Sequence, residues 1–374
     1  MVVLSKGLSE RGHDVVVAIF YSGGPLEKEL WNTRVRVRAL NKQGRWDVFG
    51  LMSEVTKVVR EERPDILHGY GFDQNLIGTT LMPLFPRMRV VWGLRCSNLP
   101  HEDWLTRLGM KLNCWLSRFP DAIIANSHAG RKYHVAVGYP AEKVVVIPNG
   151  IDTEHFHPDL MARGRIRSEW GISEHEKLIG LVSRLDRMKD HPTFLQAAAL
   201  LTNARKDTRF VCVGGGPADY RATLQNFAKK LGLEERLLWV DTREDMPDVY
   251  NALDIAVSSS YAEGLSNVIC EAMACGVPCV VTDVGDSAWV VGNTGEVVPC
   301  ENPSALMNAI GRLLDQKVCE PAQIRGRIVE QLSLNNLVTN TEHVLSAVLK
   351  GSASNELGNL SEHSAHLIKG VSKS

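Results

Sequence analysis

The chain has 374 residues, with 42 Lys and Arg against 43 Asp and Glu and a formal net charge of -1 at pH 7. That length is enough for two substantial domains rather than one, and the balanced charge excludes the basic stripe of a nucleic-acid binder. The eight cysteines lie mostly in apolar company without paired two-residue spacing, which reads as reduced core thiols in a cytoplasmic protein, and no apolar run approaches the roughly 18 residues of a membrane span.

In chain order, residues 1–12 read as a helix ending near Arg11 and Gly12, followed by a strand over 14–20. Residues 34–40, RVRVRAL, alternate as a half-exposed strand does. A helix is expected over 49–60, then short strands over 65–68 and 88–93, the first ending in His68, Gly69 and Gly71 and the second running into Arg95, Cys96, Ser97 and Asn98. Residues 103–119 are expected to be helical. Trp104, Leu105, Leu108, Leu112, Trp115, Leu116 and Phe119 share one side, with Arg107, Lys111 and Arg118 among them. Packing of that side on the domain's own sheet is the expectation, and contact with an anionic bilayer is the alternative. Strand 122–125 leads to Ser127 as a helix cap, and strand 144–147 leads to the tight turn Pro148, Asn149, Gly150. A domain boundary falls within residues 150–160, where His157, Pro158 and the charged run after them look like surface connection.

Beyond the boundary the strand over 178–182 runs into Ser183, Arg184, Leu185, Asp186, Arg187, Met188 and Lys189. Asp190, His191 and Pro192 then open a helix. Two cations at a strand end, one just before a helix N-terminus, suit a pyrophosphate; surface charge is the simpler alternative. The strand over 210–213 ends in Gly214, Gly215 and Gly216, whose bare backbone permits close approach or a tight turn. Another strand over 237–240 leads to a loop over 243–246. Residues 258–286 then form a strand end, a polar loop with Glu263 and Gly264, a helix from Asn267 to Ala274 with Ser266 as its expected cap, and a stop at Gly276 and Pro278 before the next buried strand. Glu263 and Glu271 offer acceptors for sugar hydroxyls beside a helix end that favours phosphate, or else are a solvated and a helix-capping glutamate. Helices are expected over 303–314, from about 321 and over 334–349, and a disordered tail beyond Gly351.

Glu263 and Glu271, with seven residues between them, and then Gly276, Pro278 and a short apolar strand resemble the retaining glycosyltransferases of the large bacterial group 1 family, which builds polysaccharides and glycolipids from nucleotide sugars. The Pro148–Asn149–Gly150–Ile151–Asp152 run and the Arg184 and Lys189 positions match that pattern too. The resemblance implies two doubly wound Rossmann-like domains facing a cleft (GT-B type). Residues 1–157 would form the acceptor-side domain and 158–330 the donor domain, with a helix over 331–350 crossing back to the first and a disordered tail over 351–374. It also implies that Arg184 and Lys189 hold the donor diphosphate and Glu263 contacts the sugar hydroxyls. Glu271 would grip the ribose, with the backbone at Gly264, Leu265 and Ser266 steadying phosphate. Gly214, Gly215 and the loop at Arg243 would lie near the nucleotide. Relatives have a histidine soon after the strand over 88–93; His101 is not firmly matched to it. Asp241 stands where relatives usually have glycine.

The family's opening strand and glycine-rich turn are absent, so the first domain is expected to lack a central strand. The chain either begins upstream of Met1 or is a truncated copy. The implied reaction moves a sugar from a nucleoside diphosphate sugar to a saccharide or lipid-linked acceptor, with no bound cofactor or metal. The expected location is cytoplasmic, with peripheral contact at the inner face of the cell membrane as a variant. A nucleotide-sugar epimerase, a phosphorylase of the same fold and a binding protein without turnover are the competing readings.

Overall fold

The computed structural model describes residues 1–44, 47–95, 104–316 and 319–351, although the side chains of 25, 26 and 104–107 lie outside the description. Cys96, Ser97, Asn98, His101 and the tail over 352–374 lie outside the described residues, as do the side chains of Trp104, Leu105 and Arg107. The chain divides into two compact units. One takes in residues 1–150 and the chain from Leu334, and the other takes in residues 151–333.

In the first unit β1 (Val16–Ile19) pairs in parallel only with β2 (Arg36–Ala39). A separate four-stranded parallel sheet holds β3 (Ile66–His68), β4 (Arg89–Leu94), β5 (Ala122–Ala125) and β6 (Val144–Val146), in that order. Strands β4 and β5 are buried nearly throughout, as parallel strands covered on both faces must be. The helix Val2–Glu10 buries Leu4 and Leu8 against Val91, Ile124 and Val145 of the larger sheet. Its Val2 packs with Val17 of the smaller one and with Val35, the residue before β2. The last helix, Leu334–Lys350, lies on this first helix so closely that a Cβ at Gly7 would stand 2.4 Å from Val338 Cγ2. Arg11 ties the two together through Glu342, Asn335 and Thr339.

The helix Trp104–Leu116 departs from expectation. Cys114 and Leu116 join the core, but Leu108, Leu112, Trp115 and Phe119 are 56%, 47%, 54% and 49% exposed. Those four members of the stripe therefore do not pack on the domain's sheet, although Leu116 does. Helical spacing places residues on a common face but does not say what covers that face.

The second unit has one six-stranded parallel sheet, built from β7 (Lys177–Val182), β8 (Thr208–Val213), β9 (Leu237–Val240), β10 (Ile255–Ser258), β11 (Cys279–Thr282) and β12 (Glu296–Val298). Its order is β12-β11-β10-β7-β8-β9. Every neighbour pair is parallel, so each connection crosses over through a helix. Two apolar layers cover the faces, one around Phe194, Phe210 and Ile310, the other around Tyr250, Ile269 and Ile328. The unit begins at Ile151 because that residue donates to Leu332 O and bridges to Ser333.

The charged run after Pro158 is a helix, Leu160–Glu169, rather than surface connection. Asp159 caps it. Arg163 and Arg167 bind Asp254 and the carbonyls of Asn251, Ala252 and Leu253, so polar contacts add to the burial of Ala162 and Ile166 in holding this helix.

Candidate donor site of the second unit

The strand order reverses between β7 and β10: later strands are added outward on either side of that pair. In an open parallel sheet such a switch point opens a crevice at the carboxyl ends of the two strands, because their connecting helices depart to opposite faces. The candidate residues follow those two strand ends.

After β7 the chain makes a short turn, Arg187–Lys189, and Asp190 adopts φ +46 as the N-cap of the helix His191–Ala204. Its Oδ1 accepts from Thr193 N at 3.2 Å. The end of β10 clasps this turn. Ser259 Oγ donates to both Lys189 O and Asp190 O at 2.9 Å, and Tyr261 N donates to Met188 O at 3.0 Å. With its backbone so held, Lys189 Nζ forms an ion pair with Glu263 Oε1 across the switch point. Ser260 Oγ donates to the same carboxylate oxygen at 2.9 Å, and Thr282 Oγ1 anchors Ser260 O at 2.5 Å. Both charged side chains are largely covered, 18% and 12% exposed, so bulk water screens the pair only weakly.

The loop after Glu263 is pinned by the turn at Gly285, whose φ is +56. A Cβ there would stand 2.4 Å from Gly264 O and 2.5 Å from Glu263 O. Asp286 N also donates to Gly264 O at 2.8 Å. Leu265 is buried. Ser266 occupies the N-cap position of the helix Asn267–Ala274 but does not cap it. Its Oγ is buried without a hydrogen-bond partner among the described residues, a correction to the expected capping bond.

On that helix, Glu271 Oε2 accepts from Tyr250 Oη at 2.7 Å. Burial pushes the Glu271 carboxyl above its ordinary range, and the Tyr250 bond draws it part of the way back. Sequence reasoning missed Tyr250. It lies 21 residues away on the helix Met246–Ala252, and nothing in its own neighbourhood signals the contact.

Arg184 is exposed and lines a cavity of about 890 Å³ with Leu185, Arg187, Gly215, Gly216 and Tyr220. Gly214, at φ +143, lies against the end of β7, where a Cβ would overlap Ser183 O at 2.0 Å. Leu185 N donates to Gly215 O at 2.8 Å, which completes the contact between these two strand ends. The Arg243 side chain is committed elsewhere. It binds Asp245 and Glu169 and lies 5.9 Å over the Trp170 ring. Asp241 pairs with Arg221. His68 and Arg95 belong to the first unit. No group of three or more His, Cys, Asp or Glu among the described residues is arranged to hold a metal ion.

Lys189 and Glu263 thus meet at the switch point of a Rossmann-like unit, while Arg184 lines the neighbouring cavity and Glu271 is held apart from them by Tyr250. Comparison with known proteins makes the class specific. Residues 176–316 match the family described as Glycosyl transferases group 1, and residues 1–155 match Glycosyltransferase Family 4. The N-acetyl-alpha-D-glucosaminyl L-malate synthase of Bacillus anthracis is 26% identical over 93% of this chain and 92% of its own length. The lipopolysaccharide core biosynthesis mannosyltransferase LpsB of Rhizobium meliloti is 31% identical over 62% of this chain and 63% of its own. The D-inositol 3-phosphate glycosyltransferase of Corynebacterium urealyticum is 32% identical over 53% of this chain, which spans half of that relative. Among solved structures, Anabaena HepE in complex with UDP-glucose superposes with a TM-score of 0.81 at 22% identity, over 92% of this chain and 94% of that one. The chain thus has the GT-B fold of two Rossmann-like domains, and its two halves are each similar to a glycosyltransferase family.

Proposed function

We propose that the protein transfers a sugar from a nucleoside diphosphate sugar to a saccharide or lipid-linked acceptor, with retention of anomeric configuration, in polysaccharide or glycolipid synthesis. The observation that carries this reading is the Lys189–Glu263 pair bridging the switch point of the second sheet. It sets a phosphate-binding cation beside a carboxylate fit to accept from sugar hydroxyls. Lys189 and Arg184 neutralise the diphosphate and hold the charge that builds up as it leaves. Glu271, oriented by Tyr250, accepts from the ribose hydroxyls. The backbone of Gly264, Leu265 and Ser266 steadies phosphate at the helix end, while Gly214, Gly215 and the loop at Arg243 border the nucleotide. Neither glutamate is a nucleophile. As the bond from the sugar's anomeric carbon to the diphosphate oxygen breaks and the acceptor oxygen bonds to that carbon on the same face, the departing phosphate takes the acceptor's proton, and Arg184 and Lys189 fill the charge-neutralising role that a metal would have. Anabaena HepE, described in complex with UDP and with UDP-glucose, supports a uridine-type donor as the first to try.

The exposed stripe of Leu108, Leu112, Trp115 and Phe119 supports peripheral contact with an anionic membrane from the cytoplasmic side. Lys111 and Arg118 are exposed in the same segment, and an apolar face beside cations fits an anionic interface. No helix among the described residues is long and apolar enough to cross a membrane.

Calorimetry with UDP and uridine tests the donor assignment. Lys189→Ala should weaken UDP by about tenfold or more, the worth of a charge-assisted contact, and leave uridine nearly unchanged. Glu263→Gln should lower turnover far more than UDP affinity. Equal losses for UDP and uridine with the fold intact would overturn the assignment of Lys189.

A further inference from the structure

A second cluster of polar groups, in the first unit, takes no part in the donor site. In a parallel sheet the carboxyl ends of the strands are where ligands bind, and three such ends converge here. Tyr70 follows β3, Arg95 follows β4 and Asn149 follows β6. The Arg95 guanidinium lies over the Tyr70 ring, its Cζ 4.5 Å from the centroid. One of its nitrogens, Nη1, donates to Asn149 Oδ1 at 2.9 Å. Its Nε is buried with no hydrogen-bond partner among the described residues, and so is Nε2 of His68. The His68 ring leans on the same tyrosine at 4.5 Å between centroids. Gly93 of β4 packs against the end of β3, since a Cβ there would stand 2.6 Å from Gly69 O, and it faces His68 Nε2.

A buried guanidinium N–H without an acceptor is costly, and no carboxylate among the described residues pairs with Arg95. The Tyr70 ring and the bond to Asn149 hold the guanidinium in place, and its planar fork of donors suits an oxyanion. We propose that His68, Tyr70, Arg95 and Asn149 form an oxyanion subsite that takes a phosphate or carboxylate group of the acceptor. The acceptor role rests on the glycosyltransferase reading above; the anion site itself does not. Burial, and then the charge of Arg95, hold the His68 imidazole down to about 3. Histidine thus enters as a neutral donor, and the guanidinium supplies the charge.

The test uses the full chain saturated with UDP, so that the donor site is occupied, titrated calorimetrically with inorganic phosphate and separately with malonate. At least one of the two anions should bind, and Arg95→Ala should weaken it by about tenfold or more while UDP affinity is unchanged. His68→Ala should weaken the same anion by a smaller factor. If Arg95→Ala does not fold, Arg95→Lys replaces it and should still weaken the anion, because a point charge lacks the stacked planar fork. Neither anion binding to the UDP-saturated protein, or equal affinity in the wild type and the Arg95 variant, would overturn the proposal. Arg95-dependent binding in a chain that does not bind UDP would overturn the donor assignment instead and leave the anion site standing.

Discussion

Replacing Tyr250 by Phe removes one hydroxyl from a fully packed position and leaves the ring in place, so its cost reports the bond to Glu271 rather than a cavity. Tyr250 is 1% exposed and its Oη donates to Glu271 Oε2 at 2.7 Å. A hydrogen bond to a charged group is worth about 1.5–3 kcal/mol and one between neutral groups about 0.5–1.5 kcal/mol. Tyr250→Phe should therefore cost about 1.5–3 kcal/mol at neutral pH, and only about 0.5–1.5 kcal/mol in a Glu271→Gln background, a coupling of about 1 kcal/mol. The pH dependence has a definite sign. Burial raises the Glu271 carboxyl above its unfolded value, so its contribution to stability is fully present below the unfolded pKa and is lost as pH rises through the folded one. Loss of the Tyr250 bond, which lowers that pKa, makes the loss at high pH larger. The penalty of Tyr250→Phe should thus shrink as the solution is acidified. The assay is urea unfolding of the four proteins of the cycle, following the transition that UDP shifts, because that transition reports the donor unit. Additivity within about 0.3 kcal/mol, together with a penalty that does not change with pH, would refute the claim that Tyr250 holds Glu271 as a buried carboxylate.

Gly214→Ala forces a Cβ to within 2.0 Å of Ser183 O at φ +143; it should cost roughly 1–3 kcal/mol and weaken UDP, and a melting temperature equal to the wild type would show that this turn is not constrained. Leu112→Ser together with Trp115→Ser should abolish co-sedimentation with anionic vesicles while leaving the melting temperature unchanged, since both side chains are about half exposed. Vesicle binding that survives the pair, or that is absent in the wild type, would remove the membrane from the proposal.

The strand, loop, helix and strand of residues 258–286 were legible because the hydrophobic period changes within that stretch and its stop signals are local. The strand is a short apolar run, the helix is bounded by Ser266 and Gly276, and both glutamates lie inside that frame. The same logic exposed Lys189, which precedes a helix marked by Asp190 and Pro192. What stayed hidden depended on contacts between distant segments. Tyr250 meets Glu271 only because the helices Met246–Ala252 and Asn267–Ala274 lie side by side. The helix Leu160–Glu169 escaped notice because Arg163 and Arg167 hold it through Asp254 and backbone carbonyls, and charged residues read as surface when their partners are some 90 positions away. Arg243 was singled out by its position in a loop. Only the structure shows its fork already filled by Asp245 and Glu169. The stripe on Trp104–Leu116 had the right period, but period is blind to whether a face meets protein or solvent.

The ion pair at the switch point also bears on the order of events at the donor site. Without ligand, Lys189 and Glu263 neutralise each other, so neither charge stands uncompensated in a largely covered place. In the proposed reading, a diphosphate brings more negative charge than one carboxylate and competes for Lys189, while Glu263 keeps the hydroxyl of Ser260 as a donor. The carboxylate then needs a further donor to replace the lysine, and a sugar hydroxyl can supply it. In the proposed reading, a nucleoside diphosphate without its sugar would leave Glu263 short of a partner, whereas the complete donor satisfies both members of the pair. Preference for the intact donor over the spent nucleotide would then arise from one lysine, one glutamate and the serine that holds that glutamate in place.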